Sequence, residues 1–471
     1  MLKCTGFMDE TIRQTKTGRL VIRAAHRRGS IRAAIFTAML HSIAATCLLA
    51  GALQLYCLSL GADDLYLGFL NFTIWGGAPF LLLGITLMRR FGKRRILVFW
   101  AGYMPAVCMA FAAVMPLMGQ FGWISSTWIL YWLLAAALMR SVTDSIGGAG
   151  WFPVLQDNVP SRITGKFFGI FRIYWQSSVL VSLLLIAWFL GSEPAWWRFC
   201  VVFGVGEACF IAKIYYLKQL KEKPIPEKSD KTPSTWGVLN RAVADPDTRH
   251  FLGYILFYNI AAFMCLPFQI KYLKELGYGA GFIVAATSMV SVGAIVSLRY
   301  WGKLADRYGN RSIFGISHIG LIVILAAWVL VGNNTFSAVL VFVLYGAWSI
   351  FQSANGIAQT RHMFHTVPEK DQSNMVIMNA FVFISIAMAP LISGLFLKLS
   401  ADWHFESGGV SINHYHMLFL LASALVLLPH RVCKKFQNNV ETSAVEVFVV
   451  ITRPLRMLFG SFIVLPKRRN Q

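Results

Sequence analysis

Charge is what this sequence has least of. Only 14% of its 471 residues are Asp, Glu, Lys or Arg, where a soluble chain carries about 25%. Several soluble domains of this total length would need far more charge on their surfaces, so a soluble enzyme is excluded. The 56% hydrophobic content, with 15 Trp, 15 Tyr and 36 Phe, excludes a disordered chain. No His-Glu-x-x-His, Gly-x-Ser-x-Gly or Walker loop occurs, so neither the machinery of an enzyme nor that of an ATP-driven pump is visible, and no cofactor is implied. Six of the eight Cys lie in apolar runs and Cys4 and Cys433 lie in the tails, which leaves no disulfide framework.

What is present is a series of apolar runs, 17 to 27 residues long, with few charges. That is the length a helix needs to cross about 30 Å of hydrocarbon. Twelve spans are predicted: Ala33 to Leu58, Tyr66 to Met88, Ile96 to Met118, Ile124 to Gly147, Phe167 to Leu190, Trp197 to Leu217, His250 to Tyr272, Gly281 to Trp301, Ile313 to Val331, Phe336 to Thr360, Val376 to Lys398 and Ile412 to Leu428. The runs lack the alternation of barrel strands, and a backbone in lipid must satisfy its own hydrogen bonds, so the spans read as helices. Pro79, Pro105, Pro267 and Pro390 fall inside spans and predict bends.

The net charge of +22 would suggest nucleic acid if it formed one basic face. Instead, 38 of the 43 Lys and Arg residues fall in the two tails, the segments after spans two, four, six, eight and ten, or the span ends that adjoin them. The other side has only Arg198, Lys271, Lys274 and Lys398. This bias predicts a multi-pass protein of the plasma (inner) membrane with both termini cytoplasmic, whose partners are the lipid bilayer and a solute rather than a nucleic acid. No cleavage pattern follows the basic residues before the first span, so that span reads as retained. The predicted parts are a basic N-tail over 1–32, a first bundle over 33–217, a linker over 218–249, a second bundle over 250–429 and a C-tail over 430–471. Within that tail, Val445 to Leu465 is apolar but broken by Arg453, Pro454 and Arg456, and reads as an interfacial helix.

The two halves repeat one another. Leu60-Gly61 precedes a span that ends in Arg90-Phe91-Gly92, and Leu276-Gly277 precedes one that ends in Arg307-Tyr308-Gly309, with glycine spacings of 31 and 32 residues. Val159-Pro160 and Val367-Pro368 match in the same register. The segment Gly302-Lys303-Leu304-Ala305-Asp306-Arg307-Tyr308-Gly309-Asn310-Arg311 resembles the signature loop of the major facilitator superfamily, and with the topology the resemblance covers roughly Ala33 to Leu428. It implies an all-α integral membrane fold of twelve helices in two pseudo-symmetric six-helix bundles. In the loop itself, Gly309 permits a tight turn, while Asp306, Arg307 and Arg311 can form a latch that opens and closes the cytoplasmic side. The first-half copy keeps Arg90 and Gly92 but has Arg89 where the acid is expected, which puts its latch in doubt.

Ionisable groups at mid-span cost roughly 2.5 to 3.5 kcal/mol on insertion scales and are functional candidates. Arg140 lies in span four, where the resemblance also places a functional Arg, and Asp144 stands one turn on. Arg140 reads as an anion or polar anchor and Asp144 as a carrier of a coupling proton; the structural alternative is a self-neutralising pair. Trp348, Gln352, Asn355 and Gln359 share one face of span ten and read either as a polar lining suited to polyols, amides or peptides, or as interhelical glue. Asn259, Gln269, Trp175, Gln176 and His41 are weaker cavity candidates, and Glu207 reads as a structural hydrogen-bonding group on an outer flank. His404, Glu406, His414 and His416 lack a closed ligand spacing, so no metal site is predicted. The resulting expectation is a secondary transporter that moves a small solute by alternating access, with proton coupling in view. The alternatives are a transport-inactive sensor or scaffold on the same fold, supported by Arg89, and efflux of hydrophobic compounds, supported by the aromatic richness.

Overall fold

The computed structural model describes residues 12–14, 20–22, 24–49, 51–159, 164–223, 244–366, 372–407, 410–433 and 436. Most of the expected linker, Pro160, the Val367-Pro368 pair and the segment from Val445 to Leu465 therefore lie outside the described residues. Among the described residues, twelve helices are long and apolar enough to cross a membrane. They are spans 1 (His26–Ser59), 2 (Asp64–Met88), 3 (Lys93–Gln120), 4 (Ser126–Asn158), 5 (Phe167–Leu190), 6 (Trp196–Gln219), 7 (Pro246–Glu275), 8 (Ala280–Leu298), 9 (Tyr300–Leu330), 10 (Thr335–Met363), 11 (Met378–Leu399) and 12 (His414–Cys433).

All twelve expected spans are present, but several ends move. Helix begins at Ala24, so Arg27, Arg28 and Arg32 ride on the first turns of span 1 rather than in a separate tail. Span 12 runs on to Cys433, which places His430 and Cys433 in the bundle instead of the C-tail. The outer segment before it is not a plain loop: His404–Ser407 and Val410–Asn413 pair as an antiparallel hairpin. His414 and His416 belong to the first turn of span 12, where Asn413 and His416 form a capping box.

Local chemistry sets the helix ends. Asp63 accepts from the Tyr66 backbone N–H at 2.7 Å to start span 2. At span 7, Asp245 accepts from both the backbone and the hydroxyl of Thr248 (2.9 and 2.6 Å), which holds its carboxyl below the usual range. Three of the four prolines expected to bend the spans sit at outright breaks: Pro79 lies in a 3-10 turn, Pro105 follows a π-helical stretch, and Pro267 restarts span 7 after Met264 and Cys265. At Pro390 the helix Gln372–Leu399 continues unbroken.

The sequence repeat is a structural one. Gly61 and Gly277 both have φ of 87° and end their helices with the same paired bonds: Gly61 N–H to Leu58 and Ala62 N–H to Cys57, against Gly277 N–H to Lys274 and Tyr278 N–H to Leu273. These are Schellman caps, which need a left-handed residue at that point. The second matched pair, Gly92 (φ 96°, ψ 152°) and Gly309 (φ 78°, ψ 168°), turns the chain between spans 2 and 3 and, in the second half, within the helix Ala280–Ala327 that carries spans 8 and 9.

In the first half, span 1 packs on spans 5 and 6, and span 4 packs on spans 2 and 3; in the second, span 7 packs on spans 11 and 12, and the span 8–9 hairpin packs on span 10. The halves meet where span 2 crosses span 11 and span 5 meets span 8. Both crossings are backbone-close. A methyl built on Gly68 would lie 2.7 Å from the Pro390 carbonyl oxygen, and one built on Gly281 would lie 2.5 Å from that of Ala187. Gly281 N–H also donates to the Gly191 carbonyl at 2.6 Å. Close approach of this kind is how helices associate in lipid, where apolar burial gives no net drive.

Around these crossings, on the face opposite the basic loops, three ion pairs join the halves among the described residues: Lys271–Asp64 at 2.8 Å, Lys274–Glu193 at 3.5 Å and Lys398–Asp63 at 3.8 Å. Tyr415 bridges Glu275 (2.8 Å) and Asp64 (3.4 Å) from span 12. This face is therefore closed. Gly68→Leu should destabilise the protein by roughly 1 to 3 kcal/mol through overpacking and widen the spacing of spin labels placed across this face. Gly253→Ala, whose added methyl meets nothing within 4 Å, should not. Thermal denaturation and label-to-label distances in nanodiscs check both.

Candidate functional site

The break in span 2 at Gly76, Gly77 and Pro79 turns the Ile74 carbonyl toward span 4. Arg140 donates to it through Nη2 at 2.9 Å and Ser141 through Oγ at 3.2 Å, while Gly77 N–H donates to Ser141 Oγ at 3.0 Å. Arg140 is thus partly a structural cap for an irregular piece of backbone. Its Nη1 reaches Asp144 Oδ2 at 3.3 Å, one turn along, as the spacing predicts.

Two further groups complete a cluster. His41 of span 1 places Nε2 4.0 Å from Asp144 Oδ2, and Lys213 of span 6 places Nζ 3.2 Å from His41 Nδ1. A charged lysine can only donate, so Nδ1 accepts and the imidazole proton sits on Nε2, toward Asp144. The imidazole thus turns its N–H toward Asp144, at a 4.0 Å ion-pair distance rather than a hydrogen-bonded one. Trp175 and Phe210 flank the imidazole with ring centroids 5.9 and 6.1 Å away, and Lys213 Nζ lies 5.0 Å from the centre of the Phe210 ring. The cluster is unevenly accessible: Arg140 and Lys213 are 4% and 2% exposed, whereas the side chains of His41 and Asp144 keep 24% and 23%. An accessible acid and imidazole backed by two buried cations can exchange a proton or meet an anion.

By sequence, Lys213 sorts with the basic segment after span 6, because it lies near that end. The overlooked signal is its place inside an unbroken apolar run. Gln176, also on span 5, is half-buried and makes no part of this cluster. Glu207 Oε2 is buried without a partner, so the structural hydrogen bond expected of this acid is not formed at that oxygen.

The polar face of span 10 turns toward span 7. Trp348 Nε1–H donates to the Ala262 carbonyl at 3.1 Å, Gln352 Oε1 accepts from Tyr258 at 2.5 Å, and Asn355 Oδ1 accepts from Tyr254. Trp348 and Asn355 are buried, so in this conformation the expected cavity lining is interhelical packing at these two positions. Gln359 is half-buried, and its Nε2 has no partner. Asn259 is buried and donates to the Val382 carbonyl of span 11 at 3.4 Å, and Gln269 is buried in the second part of span 7. The Tyr254 and Tyr258 hydroxyls, which organise this face, escape a sequence reading because tyrosine is common in spans as an interfacial anchor.

The signature segment is helical on both sides of Gly309 rather than a loop. Gly302 stands on the helix before the turn, and Arg311 is exposed just after it. Asp306 pairs with Arg361 at the end of span 10, and Arg361 Nε also donates to Asn310 Oδ1 at 3.1 Å. Arg307 lies over its neighbour Tyr308, 5.3 Å from the ring centroid, and Arg90 sits the same way over Phe91 at 5.4 Å. In the first half, Lys93 Nζ pairs with Asp157 Oδ2 at the end of span 4, at 2.7 Å. The turn of each half is thus tied to the end of its own span 4 or 10, with polarity reversed: acid to base in the second half, base to acid in the first. Glu222 joins in by accepting from Arg94 N–H at 2.8 Å, and Asp157 also accepts from Lys223 N–H at 2.9 Å.

A family model described as Major Facilitator Superfamily matches residues 33–390 and 251–463. No curated protein matches the chain. Among solved structures, a point mutant of the nucleoside transporter NupG has a TM-score of 0.65 at 12% identity, with 86% of this chain and 99% of that one covered. A POT family transporter in complex with 5-aminolevulinic acid gives 0.62 at 13%, covering 86% and 96%. A bacterial homologue of the human lysosomal transporter Spinster, solved inward-facing and unoccupied, gives 0.59 at 16%, covering 88% and 98%. At these identities the structural likeness establishes the fold, and with the family match over most of its length the chain belongs to the Major Facilitator Superfamily.

Proposed function

We propose that this membrane protein is a proton-coupled secondary transporter of a small polar solute with an anionic group, working by alternating access between its halves. The observation that carries the reading is the Asp144 carboxylate, held 3.3 Å from Arg140 and 4.0 Å from His41, with Lys213 behind the imidazole. Arg140 and Lys213 bring two cations to one carboxylate, so the cluster lacks negative charge in a poorly solvated place. A solute carboxylate or phosphate supplies it, and a proton passed between Asp144 and His41 adjusts it. Transport of a solute agrees with the family, and the neighbours include a D-xylose-proton symporter as well as nucleoside and POT family transporters. The Lys93–Asp157 pair weakens the transport-inactive alternative, whose sequence support was the altered first-half turn.

We place the basic face in the cytoplasm by the charge bias, so the closed opposite face is the outer one. The Asp306–Arg361 and Lys93–Asp157 pairs then hold the span ends on the cytoplasmic side.

Thermal stabilisation in nanodiscs, screened over sugars, amino acids, peptides, organic anions and hydrophobic drugs, tests the solute class, since a ligand of the folded state raises the melting temperature by mass action. Anionic or zwitterionic solutes should stabilise the wild type; stabilisation confined to neutral sugars or apolar drugs would reject the charge argument. In proteoliposomes, Asp144→Asn should abolish accumulation driven by a pH gradient while solute exchange at equal pH persists. Gradient-driven accumulation at the wild-type level would remove Asp144 from coupling. Asp306→Asn should shift distances between labels on the cytoplasmic ends of the halves, and an unchanged distribution would reject its role as a latch.

A further inference from the structure

Away from this cluster, the second half brings together His318 of span 9 with His430 and Cys433 of span 12. One ligand atom from each, two imidazole nitrogens and a thiol sulfur, lies within 4.8 Å of the other two. A tetrahedral Zn2+ ion with bonds of about 2.0 to 2.3 Å needs such atoms a little over 3 Å apart, so modest rotamer adjustment closes the set.

The surrounding hydrogen bonds prepare the site. Tyr254 donates its single proton to Asn355 Oδ1, so its oxygen, 3.0 Å from His318 Nε2, accepts there. His318 therefore carries its proton on Nε2, and Nδ1 presents a lone pair. That nitrogen is buried and has no hydrogen-bond partner, although the residue is wholly inaccessible. A metal-ligating histidine oriented by an outer hydrogen bond has this arrangement. The His318 and His430 rings meet edge to face at 5.6 Å. Cys433 donates its thiol proton to the His430 carbonyl at 3.1 Å; that proton leaves when the sulfur binds a cation as thiolate. Tyr254, Phe314 and Phe436 pack beside the set, with the Phe436 centroid 5.4 and 6.0 Å from the other two rings.

We propose that His318, His430 and Cys433 form a binding site for a thiolate-preferring, borderline-soft cation of the Zn2+ class, which clamps the end of span 12 against span 9. Two imidazoles and a thiolate select such an ion over Mg2+ or Ca2+, which require oxygen ligands. The site is separate from the Arg140 cluster and does not depend on what the protein transports. Because both ligand-bearing spans belong to the second half, the clamp stiffens that half rather than bridging the two.

The full-length chain in nanodiscs, reduced and stripped with a chelator, is titrated with Co2+ as the probe. The wild type is expected to develop a thiolate-to-cobalt charge-transfer band that saturates at a single equivalent and is bleached by Zn2+. Cys433→Ser should abolish the band and Cys209→Ser should retain it. Tyr254→Phe, which keeps the ring but frees His318 Nε2, should weaken binding by roughly tenfold or more. Absence of the band in the wild type, or its survival in Cys433→Ser, overturns the proposal. Should Cys433→Ser fail to fold, His318→Gln and His430→Asn decide: unchanged cobalt affinity in both would overturn it equally.

Discussion

Backbone-to-backbone contact between the halves is the constraint on which the rest of this structure depends. Inside a bilayer, two helices gain little by hiding apolar side chains from equally apolar lipid, so their association rests on how closely they pack. At Gly68 against Pro390 and at Gly281 against Ala187, the absence of a side chain brings two main chains together. These contacts draw span 2 to span 11 and span 5 to span 8, which brings the acids of one half within reach of the lysines of the other. The ion pairs on that face are a consequence of the approach. The two exposed pairs, Lys274–Glu193 and Lys398–Asp63, contribute little by themselves.

The charged cluster around Asp144 shows how one side chain can serve the fold and the function together. Arg140 would be costly in a bundle without acceptors, and it finds one in the Ile74 carbonyl and another in Asp144. The broken helix of span 2 is therefore part of the site: the irregular backbone is stabilised by the same guanidinium that sets the field at the carboxylate. Membrane helices tolerate such breaks where a neighbour satisfies the freed groups.

Much of this was legible in the sequence because lipid imposes a simple grammar. Spans follow from run length, and the repeat follows from glycines that both adopt left-handed backbone, as Gly61 and Gly277 do. The pairing of Arg140 with Asp144 follows from one turn of helix. What escaped depends on three-dimensional partners with no fixed sequence offset. Lys213 joins His41 across 172 positions, and a charge count that sorts residues by loop assigns it to the wrong environment. Arg361 and Asp157 read as ordinary span-end charges until the turns are seen to pack against them. The face of span 10 was readable as polar, but whether it meets a cavity or Tyr254 and Tyr258 depends on the rotation of span 7, which periodicity does not fix.

The opposed polarity of the two turn-to-span ties limits how the halves can exchange parts. The second half sets an acid on its turn against a base at the end of span 10, and the first sets a base on its turn against an acid at the end of span 4. Swapping the turns alone between halves, in the register of the two glycines, would set Arg89 and Lys93 against Arg361 in place of Asp306 and Asn310, and would leave Asp157 facing Asn310 in place of Lys93. The smallest unit that can be transplanted, by recombination or by design, is therefore the turn together with the span end it contacts. Though both halves share one architecture, each carries its own lock and key.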